Sequence, residues 1–216
     1  MPTGATLAMV LPQMSMLARP KLLVVGDSFA AEWPDRSGWT SVLAKQYSVT
    51  NLAQSGCSQY RILQQIQSVS LSDYDCVIAA HTNPYRVPTR KHPVHSQNSF
   101  LAKADLLYSD IDYHSARWYA RFNPGLIAAK KFFHYHFDWQ YQQDVYCLIR
   151  REILRIIGAE NILYLAIHTP IAAESDVIEP NVIRLDRIDL GYPNHLCPDQ
   201  RNHLLSQITA YLDEKF

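Results

Sequence analysis

Residues 21–28 read Lys-Leu-Leu-Val-Val-Gly-Asp-Ser, and this stretch decides the fold. Lys21–Gly26 is a short apolar run with two adjacent valines, and it ends in glycine. It has no alternation of polar and apolar positions, which predicts a strand covered on both faces, the usual state of a parallel strand. Asp27 and Ser28 then open a turn. Downstream, Trp39, Val42 and Leu43 recur at helical spacing within Gly38–Tyr47. Tyr47–Leu52 is the next strand candidate, Gln59–Val69 is helical through Ile62, Leu63 and Ile66, and Cys76–Ala80 is a third strand.

Toward the C-terminus, Val145, Leu148, Ile149, Ile153 and Ile156 predict a long helix over Tyr141–Ile157. Asn161–Ile167 reads as a fourth strand and Asn181–Leu185 as a short fifth. A final helix runs over Pro198–Tyr211, with Leu204, Leu205 and Ile208 inward. His81–Asp138 has no such order, and one or two short helices are expected there, such as Ser96–Tyr108. Strands alternating with helices imply parallel pairing with helices on both faces. The expected fold is therefore α/β: a single three-layer α/β/α (flavodoxin-like) domain over 20–216. It has a mostly parallel sheet of about five strands and a cap-like helical or irregular insertion at about 84–140, after the third strand. Cys76 and Cys147 sit in apolar runs and read as buried thiols.

Composition narrows the function. The chain has 216 residues, enough for one domain with a full core. Lys+Arg and Asp+Glu are both 20, so the formal net charge is zero. General electrostatic attraction to nucleic acid or to an anionic membrane is not expected. No stretch approaches the roughly 20 apolar residues of a membrane span. The four cysteines form no C-x-x-C pair, which fits reduced thiols and a cytoplasmic location better than a secreted or periplasmic one. Residues 1–19 are apolar, lack an early positive charge and are broken by Pro12 and Gln13, so they read as an arm rather than a secretory signal.

In open parallel sheets, sites form beyond the carboxyl ends of the strands. Four polar loops fall there: Gly26-Asp27-Ser28-Phe29, Ala53-Gln54-Ser55-Gly56-Cys57, His81-Thr82-Asn83-Pro84 and Pro193-Asn194-His195-Leu196. A serine hydroxyl attacks a carbonyl only with a base in reach and donors aimed at the oxyanion that forms. Ser28 is the candidate nucleophile and His195 the candidate base. Gly56 admits close backbone approach, and the Asn83 amide can donate. Each also has a plainer reading as an N-cap, a turn or a surface residue. Their order on successive strand ends is what singles them out.

These four blocks resemble the SGNH/GDSL hydrolase superfamily: VVGDSFA around Ser28, NLAQSG around Gly56, AAHTNPY around Asn83 and PNHLCPDQRNHLLSQI around His195. The resemblance covers about residues 21–85 and 160–212. It implies a serine esterase or deacylase that forms an acyl-enzyme without metal or cofactor, on an O-acylated carbohydrate or another small ester. O-acyl transfer in polysaccharide modification and a non-catalytic carbohydrate-binding domain on the same fold are the alternatives. The chain departs from the family's pattern twice. Tyr192 stands where an orienting Asp is usual, three residues before His195, leaving Asp189, six before, as the candidate acid. His81 and Pro84 flank the third block where Gly and Asp are usual. The insertion is dense in aromatics and histidines. His134-x-His136 could chelate a metal on a strand, but no acidic or Cys partner has matching spacing, so no metal is expected. The aromatics read as a packed cap, a substrate wall, or both.

Overall fold

The computed structural model describes residues 19–95, 99–167, 181–185 and 191–216. Five strands form one all-parallel sheet in the order β2-β1-β3-β4-β5: β1 (Lys21–Val25), β2 (Ser48–Asn51), β3 (Cys76–Ala80), β4 (Ile162–Ile167) and β5 (Val182–Leu185). β1 pairs with β2 on one side and with β3 on the other, in register Leu22↔Cys76 through Val25↔Ala79. The chain leaves the centre in both directions from this strand. The loops after β1 and β3 therefore diverge and leave a crevice at the carboxyl edge.

The helices cover both faces because the central strands are apolar on both. Leu22 and Val24 meet Trp39 and Leu43 of α1 (Trp39–Leu43) and Leu204, Ile208 and Leu212 of α6 (Pro198–Lys215). Leu23 and Val25 point the other way. They meet Ile62, Leu63 and Ile66 of α2 (Gln59–Gln67) and Ile153 and Ile157 of α5 (Trp139–Ile157). The same alternation runs through β3 and β4, so each strand residue is committed to one of two cores. Each fully buried Val, Leu or Ile contributes about 1.5–3 kcal/mol. β2, at the sheet edge, is only half-buried.

The insertion after β3 carries α3 (Tyr108–Ser115) and α4 (Pro124–Tyr135) around a small apolar cluster of Ile111, Leu126, Ala129 and Phe133. α4 starts sharply because Pro124 follows Asn123, whose side chain accepts the Leu126 N–H. The helix expected over Ser96–Tyr108 is not formed by its described part. Residues 99–103 are turns, Leu106 pairs with Val87 in an antiparallel bridge, and α3 begins only at Tyr108. The cause is Asp105, 1% exposed. Its carboxylate accepts Ser58 N at 2.8 Å, Thr89 N at 2.9 Å and Arg61 Nε at 2.8 Å, and these long-range bonds hold residues 104–107 out of a helix.

Two further expectations are corrected. Leu148 is 60% exposed, because the buried stripe of α5 is Tyr146, Arg150, Ile153 and Ile157. Cys147, next to that stripe, is half-buried rather than buried. All four cysteines are free thiols. Among the described residues no helix is long and apolar enough to cross a membrane. Residues 1–18 and Asp189 lie outside the described residues.

Candidate active site

Ser28 sits in a turn whose backbone is tied at every carbonyl. Asp27 O accepts Ala30 N and Ala31 N. Phe29 O accepts the Trp39 indole at 2.6 Å, and Ala30 O accepts Asn51 Nδ2 at 2.8 Å. Ser28 O and Ala31 O both accept Asn194 Nδ2, at 3.1 and 2.9 Å. Asp27 turns inward: its carboxylate accepts Phe29 N at 3.1 Å and Thr82 Oγ1 at 2.7 Å. That second bond stitches the end of β1 to the loop after β3. With Asp27 facing in, Ser28 lies just beyond the carboxyl end of β1 at 7% exposure.

The base arrives from the other end of the chain. His195 Nε2 lies 2.8 Å from Ser28 Oγ. Asn194 and His195 both adopt left-handed backbone, with φ of 53° and 58°, a conformation that non-glycine residues adopt at a cost and that clusters at functional sites. The Asn194 side chain, 1% exposed, holds this strained turn against the nucleophile turn. Gly38 makes room for it, since a Cβ there would stand 2.5 Å from Asn194 Oδ1. Phe29 braces the imidazole edge-on, with ring centroids 4.9 Å apart. Leu196 anchors the turn in the core, and Gln200 Oε1 accepts Cys197 N at 3.0 Å as α6 begins.

Burial pushes the His195 pKa below the ordinary histidine range, and the nearby Arg86 guanidinium pushes it the same way. The imidazole is therefore neutral and able to accept a proton at neutral pH. His195 Nδ1 is buried with no hydrogen-bond partner among the described residues. Burial raises the Asp27 pKa against the pull of Arg86, and it pushes the Cys57 thiol up, which makes that thiol unreactive.

Gly56 and Asn83 lie at the ends of β2 and β3 but do different things. Gly56 has φ +74°. A Cβ there would meet Ala104 Cβ at 2.8 Å, so the insertion packs on the glycine and takes the space a side chain would need. Its carbonyl accepts Arg86 Nη1 at 3.1 Å and Asp105 N at 2.9 Å. Asn83 is exposed, and its Oδ1 accepts Tyr85 N at 2.9 Å, which leaves its amide nitrogen free to donate. The N–H groups of Ser28 and Gly56 have no acceptor among the described residues. A cleft of about 340 Å³ opens beside Pro84 and Arg86, lined also by Gln59, Tyr60 and Tyr146, but neither Ser28 nor His195 lines it.

No protein-family model matches this chain, and no curated protein does. The chemistry of the site therefore has to be argued from its residues. Sequence reasoning missed Asn194, Arg86, Thr82 and Asn51. Only Asn194 carried a local signal, because Asn is the side chain that best tolerates left-handed backbone after glycine.

Proposed function

We propose that this protein is a serine esterase or deacylase of the SGNH/GDSL type. Ser28 is the nucleophile and His195 the general base. The observation that carries this reading is the 2.8 Å contact between His195 Nε2 and Ser28 Oγ, made by an imidazole kept neutral by burial. Ser28 Oγ attacks the ester carbonyl while His195 Nε2 takes its proton. The tetrahedral oxyanion is received by the unengaged Ser28 and Gly56 N–H groups and the Asn83 amide. Loss of one such donor costs about 2.7–4 kcal/mol in the barrier. His195 then protonates the leaving alcohol, and water attacks the acyl-enzyme by the reverse route.

Asp189 is proposed as the acid that orients the imidazole. The unpartnered, buried His195 Nδ1 supports an acceptor at that position. Small esters, O-acylated carbohydrate among them, are the proposed substrates, on the sequence resemblance and the aromatic richness of the insertion. A fluorophosphonate probe followed by intact mass tests the nucleophile. One adduct is expected on the wild type and none on Ser28→Ala. No adduct on the wild type, or an adduct that persists on Ser28→Ala, rejects the assignment.

A further inference from the structure

The insertion holds a second cluster of side chains that the esterase reading does not use. His92 and His95 lie on the loop that precedes α3, and Asp110 and His114 lie one turn apart on α3. His92 Nε2 and His95 Nε2 each stand 3.1 Å from Asp110 Oδ2, and His114 Nε2 stands 3.5 Å from Asp110 Oδ1. Three imidazoles thus converge on one carboxylate. His92 is fully buried at its side chain, yet its Nε2 makes no aligned hydrogen bond despite the 3.1 Å approach.

We propose that His92, His95 and Asp110, whose ligand atoms lie within 4.8 Å of one another, bind one divalent transition-metal ion of the zinc class, with His114 against the other carboxylate oxygen. Ligands about 2.0–2.1 Å from a tetrahedral ion stand about 3.3–3.4 Å from one another. The His92 and His95 nitrogens each stand 3.1 Å from Asp110 Oδ2, close to that spacing. Two imidazoles and one carboxylate form a borderline donor set that suits zinc and its neighbours rather than calcium or magnesium, with the fourth position left to solvent or a ligand. The outer contacts fit as well. His114 stands 3.5 Å from the other carboxylate oxygen, where it orients the ligating Asp110, and its own Nδ1 is held 2.7 Å from Tyr119 Oη. His92 and His95 stack with centroids 4.2 Å apart, which favours two neutral rings over two cations. His92 Nδ1 faces Val94 N and His95 N at 3.4 Å. Both N–H groups point at Nδ1, so binding at Nε2 requires the ring proton to move to Nδ1 and these two contacts to break. The ion would pin the 91–95 loop to α3 in an insertion whose own apolar cluster has only four buried residues.

The full-length protein, stripped with chelator and titrated with Zn²⁺ or Co²⁺ alone, tests the site. One ion per chain is expected, with the visible absorption of tetrahedral cobalt and a rise in Tm. Asp110→Asn and His95→Ala should each abolish that signal. Tyr119→Phe should weaken binding roughly 10- to 100-fold, and the double variant His134→Ala/His136→Ala should bind as wild type. If a variant fails to fold, the wild type alone decides. Zinc should protect His95, the partly exposed ligand, from diethyl pyrocarbonate, read by mass spectrometry, while the exposed His134 and His136 stay reactive. Binding well below one equivalent, or protection at His134 and His136 instead, overturns the proposal.

Discussion

The two turns that meet at the site are built in opposite ways. The nucleophile turn, Asp27–Ala31, follows directly from a buried central strand, and all of its carbonyls are engaged by Ala30, Ala31, Trp39, Asn51 and Asn194. The base turn, Tyr192–Cys197, has two consecutive left-handed residues and depends on one buried amide, that of Asn194. A nucleophile can inherit its rigidity from the sheet. A base brought from more than 160 residues away must be locked by specific tertiary bonds, and those bonds are where the site is vulnerable.

Removing either reacting group should have the largest effect. Ser28→Ala and His195→Ala should each lower kcat/KM on the order of 10⁴- to 10⁶-fold with folding intact, and their combination should cost little more than either alone. Additive losses would mean that the two groups do not work as a unit. Asp189→Asn comes next. A loss on the order of 10³- to 10⁴-fold is expected if it holds the imidazole tautomer, whereas a loss under about tenfold would leave a Ser–His dyad. Asn194→Ala should destabilise the fold by about 1–3 kcal/mol, since Ser28 O and Ala31 O lose their donor. Activity should fall with it as His195 drifts. Asn194→Gly relieves the backbone strain but also loses the amide, so any deficit it retains isolates the hydrogen bonds. Full activity in Asn194→Gly would show that backbone conformation alone holds the base.

Arg86→Gln should have the smallest effect. Burial and Arg86 both depress the His195 pKa, so the neutral base survives to lower pH than an ordinary histidine would. Without the guanidinium the His195 pKa rises, and the acid limb of kcat/KM should move to higher pH. An unmoved limb would mean that burial alone sets it.

Legibility followed the range of the interactions. Lys21–Val25 and Cys76–Ala80 could be read as buried strands because apolar residues on both faces leave no helical or half-exposed alternative. The amphipathic pattern of α5 was legible as a helix, and Ile149, Ile153 and Ile156 pack into the core as that pattern implies, while Leu148 at the margin of the stripe faces solvent. The described part of segment 96–108 was misread because Asp105 pairs with Ser58, Arg61 and Thr89, three partners distant in sequence. His134-x-His136 stood out as a metal pair only if extended. His134 lies on α4 and His136 caps it, and on a helix positions two apart do not share a face. The cluster that does converge, His92, His95, Asp110 and His114, was overlooked because its two halves come together only when the 91–95 loop lies on α3.

The sequence by itself determined the order of strands and helices, the parallel sheet they imply, and which loops fall at its carboxyl edge. Those follow from local periodicity and from the need to bury two-faced strands. The pairing of Ser28 with His195 was expected from the strand-end loops, but only the tertiary structure decided that Asn194 and Gly38 hold it at 2.8 Å and that Gly56 is packed by Ala104. Each of those is a contact between distant residues, set by how the layers close on one another, and no local pattern encodes it.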